Sequence, residues 1–233
     1  MIRGAAAGSR DVGTAGEFTV ATSHGDAVMV LDRAAEPGFL LALTHGAAGG
    51  VDAADLIAAR DAALALGGTV ARVIQAYRLR GGRAPGSAAR QDESWIEVMA
   101  ALRALVAGGQ AGAGPPQPGR RGRDLALIQV GRSNGARLAC RTAAAAGADA
   151  VIALAFPLHP PGHPERSRRS ELLAACADVL AVSGSRDPFG IPDAADVARL
   201  VVLAGEGHAL SKNPAAVGAA VSAWLRPRMS GGR

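Results

Sequence analysis

LALIQVGRSNGARLACRTAAAA, residues 125–146, decides the fold. Its opening, Leu125 to Val130, has the length and apolar content of a buried strand, and Asn134 to Ala146 reads as an alanine-rich helix. Gly131-Arg132-Ser133-Asn134-Gly135 joins them in the pattern GxSxG. In a chain with 31 glycines, roughly 0.2 such matches arise from composition alone, so the motif carries weight only through its setting. A strand directly before and a helix directly after supply that setting. The turn between them is so tight that a Cβ at either flanking glycine would strike the neighbouring strand or helix. Ser133 is then held in a strained backbone with its hydroxyl pushed out beyond the sheet edge.

Outward from this turn, runs rich in Val, Ile and Leu alternate with alanine-rich helical stretches, the sign of an α/β fold with a mostly parallel sheet covered on both faces. Glu17 to Val20 and Ala27 to Leu31 flank the turn Ser23-His24-Gly25-Asp26 and predict an antiparallel hairpin. Buried-type strands follow at Phe39 to Leu43, Thr69 to Gln75, Leu125 to Val130, Val151 to Phe156, Val179 to Val182 and Leu200 to Leu203, eight strands with the hairpin. Between them, Asp52 is the expected cap of a helix reaching about Leu66. Asp92 or Ser94 is the expected cap of one reaching about Val106, stopped by Gly108-Gly109. A last helix is expected from near Pro214 to just before Pro227. Arg80 to Gln91 and Gly108 to Gly122 read as surface loops. Residues 1–16 read as a flexible tail and 17–228 as one domain without internal repeat.

Composition narrows the function. Apolar types make up 49% of the 233 residues, too many for a disordered chain, and no uncharged apolar run is long enough to span a bilayer. No apolar block follows Arg3 and Arg10, so no secretory leader is expected and the cytoplasm is the expected location. The net charge of +5 comes from 24 Arg and one Lys, dispersed, with only 3% aromatic residues, so no nucleic-acid partner is expected. Cys140 and Cys176 form no CxxC pair and read as two buried reduced thiols. No cluster has the spacing of a zinc site, and neither a metal nor any other cofactor is expected.

The chemistry is expected around Ser133. A serine hydroxyl is a poor nucleophile until a base takes its proton, and an imidazole base needs a carboxylate to fix its tautomer. Both follow in the required order. Gly184-Ser185-Arg186-Asp187-Pro188-Phe189-Gly190 offers Asp187 after one strand, and Gly205-Glu206-Gly207-His208 offers His208 after the next. In an open α/β sheet, such loops converge at the carboxyl ends of the strands. The loop Thr44-His45-Gly46-Ala47-Ala48-Gly49-Gly50 frees backbone N–H groups for a developing oxyanion, with Ala47 one expected donor, Ala48 its close alternative and Asn134 the second. His45 is expected to brace this loop. A phosphate cradle lacks support, since neither GxxxxGK[ST] nor GxGxxG is present.

With these residues in place, the chain resembles the α/β-hydrolase superfamily. More narrowly it resembles the branch of testis-expressed protein thirty and the third subunit of the non-specific-lethal chromatin complex. The matching pieces are LALTHGAAGG, GRSNGARLACR, LAFPLHPPGHPERSR, VSGSRDPFG and GEGHAL, spanning Leu41 to Leu210. The resemblance implies an α/β-hydrolase fold with Ser133, Asp187 and His208 as nucleophile, acid and base. Only Pro157 to Glu171 is available where many relatives insert a cap, so no large cap domain and an open, shallow site are expected. His159 and His163 lie in that stretch; His159 is the candidate pocket residue and His163 reads as loop-ordering. Arg132 can neutralise a substrate carboxylate or form a structural ion pair. The expected activity is a serine hydrolase on a small ester, thioester or related acyl substrate. The alternative is a hydrolase-fold interaction module with a protein partner, or a homo-oligomer, since fold alone does not determine function.

Overall fold

The computed structural model describes residues 2–4, 16–82, 84–110 and 125–230. The hydrophobic alternation builds one twisted sheet of nine strands: β1 (Ile2–Gly4), β2 (Gly16–Val20), β3 (Ala27–Asp32), β4 (Phe39–Thr44), β5 (Gly68–Ile74), β6 (Leu127–Arg132), β7 (Ala150–Leu154), β8 (Asp178–Gly184) and β9 (Arg199–Leu203). Their order across the sheet is β1-β2-β3-β5-β4-β6-β7-β8-β9. β1, β2 and β3 run antiparallel, and from β5 onward all neighbours are parallel. The eight strands read from the sequence are present, and β1 adds a ninth at the edge. The tail expected over residues 1–16 is therefore corrected at both ends: Ile2–Gly4 pairs with β2, and Gly16 opens β2. Residues 5–15 lie outside the described residues.

Strand period separates two core layers. On β4, Phe39, Leu41 and Leu43 face α1 (Ala54–Leu64) and the C-terminal helix Pro214–Ser230, where Leu56, Val217, Val221 and Trp224 complete the layer. Leu40 and Ala42 face the opposite side. There, after a short helix α2 (Ala76–Leu79), the sheet is covered by α3 (Ala88–Gln110) and α4 (Asn134–Thr142), with Trp95, Val98, Leu102 and Leu138 packed on it. A further small cluster joins α4 to α5 (Arg169–Leu173) through Cys140 and Leu172; Pro214–Ser230 is α6.

Several element ends differ from expectation. α1 begins at Ala54 without a side-chain cap, because Asp52 accepts from the Arg72 guanidinium instead. α3 begins four residues before Asp92, capped by Ser87, whose Oγ accepts the Arg90 N–H at 3.3 Å. Asp92 and Ser94 are spent elsewhere, on Arg141 and Thr22. Gly108 does not stop α3, which continues to Gln110; the remainder of the expected loop, 111–124, lies outside the described residues. Pro227 sits inside α6, where the Arg228 side chain stacks over the Trp224 ring and donates to the Trp224 carbonyl. Cys140 is buried as expected, with burial pushing its thiol up to about 12, but Cys176, just past the turn that follows α5, has φ 48° and is exposed.

Candidate active site

Ser133 sits one residue beyond β6 with φ 55° and ψ −115°, a conformation that a side chain adopts only when its surroundings impose it. The constraint is visible. Ser133 N–H donates to the Leu154 carbonyl at the end of β7, and the Ser133 carbonyl accepts from Ala136 and Arg137 in the first turn of α4. The elbow is thereby clamped between the neighbouring strand and its own helix. Gly46 passes so close that a Cβ there would stand 3.2 Å from Ser133 Cβ.

The structure brings Ser133, His208 and Asp187 into one chain of hydrogen bonds. His208 Nε2 lies 2.8 Å from Ser133 Oγ, and His208 Nδ1 lies 2.8 Å from Asp187 Oδ2. The carboxylate is buried, and its other oxygen accepts the Phe189 N–H at 2.9 Å. An ionised carboxylate is acceptor-only, so Nδ1 of the ring carries the hydrogen and Nε2 is left with its lone pair toward the serine. The Phe189 ring packs edge-on against the imidazole, 4.5 Å between centroids, and limits its rotation. The two loops are tied to each other through Glu206, whose carbonyl accepts the Arg186 N–H and whose buried carboxylate accepts the Asn213 N–H.

The loop after β4 is organised from beneath. His45 is fully buried. Its Nδ1 donates to the Gly46 carbonyl at 2.8 Å, and its Nε2 accepts the Gln75 N–H at 3.2 Å, which fixes the neutral tautomer. Burial holds its pKa below the ordinary value against the opposing pull of the Gly46 bond. Tyr77 Oη donates to the Ala47 carbonyl at 3.1 Å, and burial pushes that phenol up to about 12, so it stays a donor. In a trans peptide the N–H points opposite to the C=O. Holding the Gly46 carbonyl down therefore turns the Ala47 N–H up, and holding the Ala47 carbonyl does the same for Ala48. Asn134 N–H is the first of α4, one of the donors that a helix leaves without an internal partner.

The neutral imidazole has a measurable consequence. The folded pKa of His45 is lowered, so the unfolded chain takes up a proton first as the pH falls. Stability is complete above the unfolded value of about 6.5 and declines as the pH drops below it. Thermal melts between pH 7.5 and pH 5 will show a falling Tm, and His45→Gln will flatten that fall; an unchanged slope would remove His45 as its source.

Of the other expected site residues, Arg132 lies with Nε 3.0 Å from Asp55 Oδ2, an ion pair close in distance but not aimed as a hydrogen bond. Asp55 is buried in the first turn of α1, and burial pushes its carboxyl up while Arg132 pulls it down. The arginine thus has an internal counter-ion beneath the Gly46–Gly49 loop, next to which its guanidinium lies. His159 is half-buried, its Nδ1 on the Pro160 carbonyl, and it lies beside Gly190 at the end of the Asp187 loop. His163 is exposed and paired with Glu165.

Tyr77, Gln91 and Asp55 were not singled out by the motifs. Tyr77 is the chain's one tyrosine, a signal in a protein so poor in aromatics. Gln91 stood in an expected loop. It lies in α3, where Oε1 accepts from the Asn134 side chain at 2.8 Å and Nε2 donates to the Ser87 carbonyl at 3.2 Å. Tyr77 and Gln91 also line a cavity of about 500 Å³ beside the site, whose inner lining includes Val73, Trp95, Val98 and Leu138, all almost wholly buried. Among the described residues, no group of three His, Cys, Asp or Glu side chains is placed to hold a metal ion. No helix among them is long and apolar enough to cross a membrane.

A family profile described as an alpha/beta hydrolase domain matches residues 37–205, most of the chain. The chain belongs to the alpha/beta hydrolase family. Its fold is shared with a lidless a/b serine hydrolase from Xanthomonas campestris (17% identity, TM-score 0.64, covering 92% of this chain and 94% of that one). It is shared too with dienelactone hydrolase from Anabaena variabilis (15%, 0.66, 93% and 99%) and with Est1E from Butyrivibrio proteoclasticus (15%, 0.61, 92% and 99%). No curated protein matches the chain. In this alpha/beta hydrolase only residues 155–168 connect β7 to α5, and the described residues include no large cap domain over the carboxyl edge of the sheet.

Proposed function

We propose that the chain is a serine hydrolase that cleaves a small ester, thioester or related acyl bond through an acyl-enzyme on Ser133. The observation that carries this reading is the continuous Asp187–His208–Ser133 hydrogen-bond chain, with both contacts of the imidazole at 2.8 Å. A scaffold has no physical need for a strained elbow serine matched to a base and a buried carboxylate. Ser133 Oγ attacks the acyl carbon as its proton passes to His208 Nε2, and Asp187 stabilises the imidazolium that forms. The carbonyl oxygen becomes an oxyanion facing the N–H groups of Ala47 and Asn134, with Ala48 adjoining. One such donor contributes about 3 kcal/mol of transition-state stabilisation. The bond from acyl carbon to the leaving oxygen or sulfur then breaks as His208 returns its proton to the leaving group. A water molecule, deprotonated by His208, attacks the acyl-enzyme, releases the acid and restores Ser133.

His159, on the connection between β7 and α5, flanks this centre as a substrate-contacting residue, while Arg132, the last residue of β6, serves as the ion-pair partner of Asp55. The pieces FPLHPPG, SGSRDPFG and GRSNG support, in the same reading, membership of the branch of testis-expressed protein thirty and the third subunit of the non-specific-lethal chromatin complex, with the cytoplasm as the place of work. Replacing Asp187 by Asn will lower kcat by about 10⁴ with little change in KM, because the amide holds the imidazole in the wrong tautomer. Steady-state kinetics on p-nitrophenyl acetate reads this directly.

The test of the reading is intact-mass spectrometry after treatment with a fluorophosphonate, on wild type and Ser133→Ala. One adduct on the wild type, absent from the variant, is expected. A folded wild-type protein that takes no adduct overturns the hydrolase reading and turns attention to the interaction-module role.

A further inference from the structure

The cavity behind Tyr77 and Gln91 lies on one definite side of Ser133. His208 enters from beyond β8 and β9, on one flank of β6, whereas the cavity is bounded by the start of β3 and the end of β5, on the other flank. A base that must hand its proton to the departing oxygen or sulfur keeps the leaving group on its own side. The acyl portion therefore extends away from His208, toward β5 and β3. Its volume of about 500 Å³ falls within the range of small-ligand pockets.

The lining states what that portion is. The floor is apolar: Val73, Trp95, Val98 and Leu138 are almost wholly buried, and the Trp95 N–H is already used on Gln129, so that a chain lying on the floor meets carbon rather than a free donor of Trp95. The mouth is polar and basic. Arg80 and Arg90 line it, both exposed, and among the described residues neither is in an ion pair. Arg80 gives one N–H to the His24 carbonyl and keeps others for a ligand. Glu93 and Glu97 of α3 are engaged by His24 and Ser23 of the β2–β3 turn.

Resting on the hydrolase reading, we propose that this cavity is the acyl pocket, and that the substrate's acyl group has an apolar body ending in an anionic group held by Arg80 and Arg90. Gln91 is the shared wall. One end of its amide fixes Asn134, whose backbone N–H faces the oxyanion, and the other holds the Ser87 carbonyl at the pocket rim.

The experiment compares p-nitrophenyl hexanoate with the mono-p-nitrophenyl ester of adipic acid, which has the same chain length and a carboxylate end, against p-nitrophenyl acetate as reference. The adipate ester is expected to exceed the hexanoate in kcat/KM by at least about tenfold, and Arg80→Gln/Arg90→Gln will erase that ratio. Val98→Phe, which fills the floor, will lower both six-carbon esters about tenfold relative to the acetate; Ser94→Leu at the side wall serves the same purpose if the Val98 variant melts early. Equal rates for the two six-carbon esters, or a ratio that survives loss of both arginines, overturns the anionic end. Six-carbon rates indifferent to Val98→Phe and Ser94→Leu overturn the pocket. Turnover of the acetate separates these failures from failure of the hydrolase reading. Binding of the adipate ester to Ser133→Ala, read by tryptophan fluorescence, tests the pocket without any turnover: about tenfold weaker binding on losing both arginines supports it, and equal binding overturns it.

Discussion

Ser133→Ala will reduce kcat/KM toward p-nitrophenyl acetate by about 10⁶ while leaving the thermal melt in place. The rate falls because the attacking atom itself is gone and no other hydroxyl replaces it beside His208 Nε2. The fold persists because the deleted oxygen bonds only to that imidazole among the contacts described, whereas the clamps on the elbow are all backbone: Ser133 N–H to Leu154, and Ser133 carbonyl to Ala136 and Arg137. Alanine keeps the Cβ that fills the turn. What remains is the rate supplied by Ala47 and Asn134 N–H groups and by binding alone. Because serine and imidazole act in one step, His208→Ala will cost nearly as much, and the double variant scarcely more than either single one. A Ser133→Ala protein retaining a hundredth of wild-type rate, or a double variant in which the losses multiply, would remove Ser133 from the reaction.

The parts of this molecule legible in the sequence are those where one short stretch determines its own geometry. Strand periodicity and the GxSxG turn are such stretches, and so the parallel sheet and the elbow are where the sequence puts them. The loops that carry Asp187 and His208 were legible for a related reason: each follows a strand, and strands in a parallel sheet deliver their C-terminal loops to a common edge. Helix starts were less legible. Ser87, preceded by Pro85 and Gly86, has the company of a loop residue, and only its Oγ bond to Arg90 N–H shows it to be the cap of α3. That four-residue error carried Gln91 into a loop and hid its bond to Asn134.

The supports beneath the site were illegible because their partners are far apart in the chain. His45 meets Gln75 across 30 positions, Tyr77 meets Ala47 across 30, and Arg132 meets Asp55 from another element. A single sequence records residue types but not such pairings. The consequence is chemical as well as structural, since these supports aim the N–H groups of a loop whose own residues, glycine and alanine, have no side-chain means of doing so.

Gly131→Ala will cost more than about 5 kcal/mol, enough to consume the stability of a typical domain, and the protein will be recovered largely as insoluble material. A Cβ at position 131 would stand 2.0 Å from the Gly135 carbonyl oxygen, 2.1 Å from its carbon and 2.4 Å from Ala136 N. All three are backbone atoms of the first turn of α4, so no rotamer change relieves the overlap. Gly135 closes the same trap from the other side, where a Cβ would lie 2.7 Å from the His45 carbonyl and 2.8 Å from that of Thr44. β6 has no freedom to retreat, being paired on both edges to β4 and β7. The helix can move only by pulling on Ser133, whose carbonyl holds its first turn. Gly108→Ala provides the contrast. That glycine lies within α3, exposed, with no atom inside 4 Å of an added Cβ, and its replacement will gain about 0.5–1 kcal/mol of helix stability. Chemical denaturation of the two variants measures the difference. A soluble Gly131→Ala protein melting within a few degrees of wild type would mean that helix and strand at the elbow are not locked together, and the strain assigned to Ser133 would lose its cause.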